Sequence, residues 1–221
     1  MKKNRFGVAA AVLATGILLA GCSSKVAETT QYSGFLQDYS KLQKTTTPSG
    51  HEVLRWIAPD FKVSDYRGVY VQPVAFYPPA KPNARVSQAT LDQVREYANS
   101  RLKAAIAERA TVLPNASGKR VLVAKVAVTA IVAENEDLQF YEVVPVAAVI
   151  ATTMAASGHR TQNAALFLEA KLVDQDTGKT VLAVVRKGYG KTVGNSTAPI
   201  TFADVKKGID DMIDDIVNFP R

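Results

Sequence analysis

The chain has 221 residues, 27 of them basic, 20 acidic and 47% hydrophobic, with two histidines and a single cysteine. That apolar content can fill one sizeable core, and one cysteine excludes an internal disulfide framework. The positive charge is not a nucleic-acid footprint: no block of five or more Lys/Arg occurs, and three basic residues fall within the first five positions.

Lys2, Lys3 and Arg5 precede an apolar stretch from Phe6 to Ala20. The stretch is about 15 residues, short of the roughly 20 that a spanning helix needs. A basic start, a short apolar run and small residues before a cut site read as a secretory signal peptide. Leu19-Ala20-Gly21-Cys22 resembles a bacterial lipobox. That resemblance implies that the bond before Cys22 is cut, its sulfur is lipidated and its new amine is acylated, with palmitate among the expected chains. Cys22 is thereby the predicted lipidation site and membrane attachment. Several acyl chains hold far more firmly than the single chain that binds only marginally. Ser23, where inner-membrane lipoproteins typically carry Asp, points to the outer membrane, facing the periplasm. Removing residues 1–21 leaves 200 residues with 24 basic and 20 acidic side chains.

Beyond the cysteine, "SSKVAETTQ" (23–31) has the small polar composition of a flexible tether. Phe35, Leu36, Tyr39 and Leu42 then recur at helical spacing, with Ser33 able to cap the turn, and are expected to dock the tether onto the domain. Trp56 and Ile57 are read as a plug at the core edge. An aromatic ligand platform built from Tyr32, Tyr39 and Trp56 is the competing reading. "YSGFLQDYSKL", "LRWIAPDF" and "YRGVYVQPV" resemble the opening blocks of the bacterial lipoprotein family labelled domain of unknown function 3313. The resemblance implies a lipoprotein signal and a shared domain, and brings no activity, cofactor or catalytic residue.

From Gly68 the pattern is α+β. Residues 68–76 read as one strand ended by "YPPAKPNA". Thr90 and Gln93 make a capping-box start for a helix whose Leu91, Val94, Ala98, Leu102, Ala105 and Ile106 share one face, with Pro114 and Asn115 beyond it. Residues 120–133 read as a long strand with Leu122, Ala124, Val126, Val128, Ala130 and Val132 on one side. In 166–174, Leu166, Leu168, Ala170 and Leu172 alternate inward, with Glu169 and Lys171 outward. Asp176-Thr177-Gly178-Lys179 turns into a further strand. Thr201 caps a last helix with Asp204 at its third position; Phe202, Val205, Ile209, Met212, Ile213 and Ile216 face the sheet, and Asp210, Asp211, Asp214 and Asp215 face solvent. The predicted fold is therefore a mostly antiparallel sheet of about four strands with two amphipathic helices on one face, in the order β-α-β-β-β-α. The expected division is 1–21 signal peptide, 22–50 lipidated tether and docking segment, and 51–221 a single periplasmic domain.

Fragments that mimic known sites fail on inspection. "DQDTGKT" (174–180) begins like a calcium loop, but Lys179 stands where the glycine belongs and Val185 where the closing acid belongs. The same "GKT" lacks the phosphate-loop glycine, since Val173 occupies its place. "GYGKTVG" has the wrong spacing for a dinucleotide loop, and "GNSTA" lacks the last glycine of a nucleophile elbow. His51 and His159 are the only histidines, so hydrolysis is the least favoured reading. No catalytic residue, metal site or cofactor is assigned. "VVPVAAVIATTMAAS" (143–157) is uncharged and too short to span a bilayer. As a helix it would align Ala147, Ala151 and Ala155, and Val146, Ala147, Ile150, Ala151, Met154 and Ala155 form the candidate surface for an envelope partner or self-association. The expected function is thus an outer-membrane lipoprotein with a non-catalytic binding or scaffolding role in the cell envelope. The alternatives are a periplasmic small-molecule or peptide binding module and, third, an envelope hydrolase.

Overall fold

Residues 26–135, 162–194 and 197–218 are described by the computed structural model, and their spine is three long antiparallel strands. In chain order the elements are β1 (Gln43–Thr46), β2 (Glu52–Ile57), β3 (Gly68–Val71), β4 (Ala75–Phe76), α1 (Gln88–Ala107), β5 (Val112–Leu113), β6 (Val121–Asn135), β7 (Gln162–Asp174), β8 (Thr180–Val193) and α2 (Phe202–Val217). The strands form one mixed sheet in the order β1-β2-β8-β7-β6-β3-β5, with β4 alongside β6.

This corrects the expectation of about four, mostly antiparallel strands: the sheet has eight, and three of its pairings are parallel. Each difference has a local cause. Pro73 offers no backbone donor, so the single strand expected over 68–76 divides into β3 and β4. The α1 crossover lets the chain return in the same direction, and β5 joins β3 in parallel. Upstream, the turn at Gly50, in the left-handed region at φ +85°, folds β1 back onto β2. Trp56 is thereby a strand residue, opposite Ala183 of β8.

The helices follow their caps and apolar stripes. In α2, Thr201 N donates to Asp204 Oδ2 at 2.8 Å and its hydroxyl to the same atom at 2.7 Å, while Val205, Ile209, Met212 and Ile213 are buried. α1 buries all six residues of the predicted stripe but begins earlier than expected, with Ser87 rather than Thr90 at its cap; Ser87 Oγ accepts the Thr90 amide at 3.1 Å. The two helices lie side by side, joined by Tyr97 OH donating to Asp210 at 2.5 Å and by Arg101 to Asp214 at 2.8 Å. Asp215, expected in solvent with its neighbours, is instead buried.

α2 sits unusually close to β8. A methyl group at Gly188 would fall 2.8 Å from the Gly208 carbonyl oxygen, and one at Gly190 would fall 1.7 Å from that of Asp204. Residues opposite each other across a pair share a face, so Leu166 and Leu168 of β7, opposite Gly188 and Arg186, line the helix side. Leu122 to Val128 of β6 follow in alternation, until a bulge between Val128 and Ala130 sets Ala130 against Phe167. Past it Ile131 takes the helix side, and Ala130 and Val132 turn to the other, so the uninterrupted alternation expected through Val132 does not hold.

The second face of the sheet is covered too. Residues 26–42 cross it, burying Ala27 and Leu36 in the same core as β6, β7 and α2. Where a flexible tether was expected, residues 29–31 make a 3-10 turn closed by the Glu28 amide donating to Gln31 Oε1 at 2.8 Å. The molecule is therefore three-layered: an N-terminal strap, the sheet, and the helix pair. We predict that Gly190→Ala destabilises the fold by about 1–3 kcal/mol through forced displacement of α2. Gly194→Ala, where nothing lies within 4 Å of the added carbon, should leave the denaturant midpoint near wild type.

Candidate functional site

The strap is fastened at one buried carboxylate. Glu169 of β7, expected to point into water, is 0% exposed. Its Oε1 accepts the Ser33 amide at 2.8 Å and its Oε2 accepts the Tyr39 hydroxyl at 2.6 Å. Burying a charge is tolerable only when hydrogen bonds replace its water, and bonds to a charged acceptor contribute about 1.5–3 kcal/mol each. Beside it Lys171 Nζ donates to the Phe35 carbonyl at 3.1 Å. Burial, then the neighbouring charge of Lys125, lowers the Lys171 pKa against the opposing pull of Glu169.

Phe35, Leu36, Tyr39 and Leu42 do pack on the core, but not as a helix. Gly34 at φ +92° and Gln37 at φ +71° are left-handed, which breaks helical continuation. The Tyr39 oxygen accepts the amides of Gly34 at 2.7 Å and Leu36 at 3.3 Å, taking donors that a helix would have used. Ser33 Oγ accepts the Phe35 amide at 3.1 Å, closing a tight turn rather than capping a helix. Burial, then the bond to Glu169, pushes the Tyr39 pKa up to about 12, so its hydroxyl remains a donor at any physiological pH. Tyr32 stacks on Tyr39 at 4.4 Å with the rings nearly parallel. Trp56 is separate from this pair, with Lys41 Nζ 4.7 Å above its ring. The Tyr32, Tyr39 and Trp56 platform therefore splits into a stacked fastening and an independent Lys–Trp contact.

A second cluster brings Ser49, His51 and Asp215 together at the β1–β2 turn. Ser49 Oγ donates to Asp215 Oδ1 and lies 2.9 Å from His51 Nδ1; that same ring nitrogen is 3.5 Å from Asp215 Oδ2. Arg186 Nη1 pairs with Asp215 Oδ2 at 2.6 Å, both side chains being almost wholly buried. A hydrolytic relay needs serine on one ring nitrogen and the acid on the other. Here both face Nδ1, so the ring does not pass a proton from serine to acid. Burial would raise the Asp215 pKa, but the Ser49 bond, the Arg186 charge and bonds from Arg186 and Thr47 outweigh it and hold it below its ordinary range. An acid so held is a weak base. What the cluster does is clamp the β1–β2 turn to α2 and β8; removing one partner of such a buried pair costs about 3–5 kcal/mol.

The calcium-like "DQDTGKT" is the β7–β8 hairpin turn. Asp174 Oδ1 accepts the amides of Asp176 and Thr177 at 2.8 and 3.0 Å, and Gly178 takes φ +69°. Among the described residues, no group of three His, Cys, Asp or Glu is placed to hold a metal ion, and no helix is long and apolar enough to cross a membrane. Cys22, His159 and the candidate surface Val146, Ala147, Ile150, Ala151, Met154 and Ala155 lie outside the described residues. The β6 and β7 ends that flank that surface pair as Asn135 with Gln162. Sequence reasoning singled out Tyr39 but missed Glu169, Asp215 and Arg186, whose partners come from far along the chain. The signal available was that β6 carries Val121, Val123 and Ala127 on the face opposite Leu122 and Ala124, the pattern of a strand covered on both sides.

The family profile described as "Protein of unknown function (DUF3313)" matches residues 31–216, a span that includes Ser33, Tyr39, Glu169 and the Asp215 cluster. The chain is 43% identical over 220 residues to the uncharacterized lipoprotein YdcL of Escherichia coli strain K12, covering 99% of this chain and 98% of that protein. The same figures hold for YdcL of Escherichia coli O157:H7. Among solved structures, the PelC dodecamer from Paraburkholderia phytofirmans gives a TM-score of 0.36 at 12% identity, over 76% of this chain and 98% of that one, a similarity too low to establish a shared fold.

Glu169→Ala should leave the Tyr39 hydroxyl and the Ser33 amide without their acceptor at a cost of about 2–5 kcal/mol. Limited proteolysis of this variant is expected to cut first within residues 33–42, while wild type resists there under the same conditions.

Proposed function

The chain belongs to the DUF3313 family of proteins of unknown function, and on that premise we propose that it is a lipoprotein of the bacterial outer membrane that binds or scaffolds other envelope components without catalysis. The observation that carries this reading is the spacing between the lipobox and the core. Leu19-Ala20-Gly21-Cys22 supplies the attachment point, and Ala27, five residues on, is only 4% exposed. The lipid and the folded body are thus nearly continuous. The name of the Escherichia coli relatives supports the lipid anchor, and Ser23 after Cys22 supports the outer membrane over the inner one.

Mechanism in this reading is localisation. A body held at the leaflet meets nearby partners at a high effective concentration without any new contact. The uncharged stretch 143–157 is the proposed contact. Asn135 and Gln162, the described residues on either side of it in sequence, are paired at one end of β6 and β7. The wiring of Ser49, His51 and Asp215 as a clamp favours a scaffold over a hydrolase.

Cys22→Ser should abolish incorporation of labelled palmitate and shift the protein from the outer-membrane fraction to the soluble periplasmic fraction. Continued sedimentation of the variant with outer membranes would contradict the anchor.

A further inference from the structure

The reach of the anchor restricts which side of the domain can meet the bilayer. The buried Ala27 is five residues on from Cys22, and an extended chain spans at most ~3.6 Å per residue, a leash of about 18 Å. A body of this size has a radius of gyration of roughly 16 Å, and so a diameter of roughly 40 Å, about twice the leash. The strap carries the leash and lies on the sheet face opposite α2. The helix layer cannot turn to the lipid unless the strap peels away from Glu169.

The chemistry of that face suits a lipid surface. Lys41 stands over Trp56, and Lys187 lies 5.1 Å from Tyr189. Tyr77, edge-on to Phe35, is 39% exposed. Lys125 is opposite Lys171 in register and shares its face. The strap's acids Glu28 and Asp38 are exposed, and the carboxylate of Glu169 in β7 is used inside by Ser33 and Tyr39. Lysines and amphipathic aromatic rings are the side chains that settle at a headgroup layer, with stems and rings against apolar matter and polar ends in water. On the opposite side the acids of α2 are matched by neighbouring cations, Asp210 and Asp214 by Arg101 and Asp211 by Lys207.

We infer that the strap-covered face is the membrane-facing surface of the domain, its lysines and aromatic rings meeting phospholipid headgroups of the leaflet that holds the Cys22 lipid, with the α1–α2 layer directed away. The inference rests on lipidation at Cys22 and adds the orientation that follows from it.

Trp56 is the only tryptophan in the chain and sits on the proposed contact face. The lipidated protein is reconstituted into phosphatidylethanolamine–phosphatidylglycerol vesicles carrying a nitroxide on the headgroup, and tryptophan emission is compared with that in unlabelled vesicles. The reference is Trp56→Phe combined with Lys207→Trp on α2. Lys103→Trp on α1, in the same background, repeats the comparison should the α2 variant fail to fold. With reporters on opposite sides of a body roughly 40 Å across, quenching at Trp56 should exceed that at either helix position by about threefold or more. Equal quenching, or stronger quenching at the helix reporters, overturns the orientation. Intact mass and vesicle flotation separate the two failures: a lipidated, floating protein without preferential Trp56 quenching refutes the orientation alone. A protein with no lipid that does not float refutes the anchor and the orientation together.

Discussion

Two hydrogen bonds to a fully buried carboxylate, from the Ser33 amide and the Tyr39 hydroxyl to Glu169, make the N-terminal segment part of the fold. β7 alternates, so Glu169 stands on the sheet face opposite the helices, where the strap that covers it also buries it. Once there it demands donors, and the strap supplies them. The stacked Tyr32–Tyr39 pair and the Lys171 bond to the Phe35 carbonyl then fix the strap's path across β7. Without the strap, Val123 and Ala127 of β6 and Val185 of β8 would lose the cover on that side of the sheet.

The opposite face is held by different physics. α2 approaches β8 through Gly188, Gly190 and Gly208, where the backbones come close enough to exclude a side chain. The Arg186–Asp215 pair then reaches from β8 through α2 to Ser49 and the β1–β2 turn. The residue types of a hydrolase meet here, yet each is used up in joining three elements. Both buried acids serve as connectors between segments distant in sequence, and each attaches part of the first fifty residues to the sheet and helices. The strap, the sheet and the helix layer are in this way mechanically continuous.

What was legible in the sequence was local. The Thr201–Asp204 cap, the six-residue stripe of α1 and the hairpin turn at Gly178 are written in neighbouring residues, and the structure places them where the spacing does. Glu169 and Asp215 were misread as solvent-facing because their partners lie 136 and 166 residues away, beyond any periodicity. The strap deceived in a related way: Phe35, Leu36, Tyr39 and Leu42 have helical spacing, but the tyrosine oxygen takes the amides of Gly34 and Leu36 and imposes turns. The short strands β1, β2 and β5 were missed because they are completed by pairing rather than by their own composition. Two-sided apolar character in β6 was the one visible sign that both sheet faces are covered.

The central claim is that the strap is a structural layer as firmly held as the sheet beneath it, and backbone hydrogen exchange of the full chain reads it most directly. Amides whose donors are used inside the fold exchange only through opening, so their protection reports the free energy of that opening. The account predicts that the amides of Ser33, Gly34 and Leu36 are protected in the same class as the β7 amides around Glu169. Exchange of those three at the rate of an unstructured peptide, with β7 still protected, would contradict it.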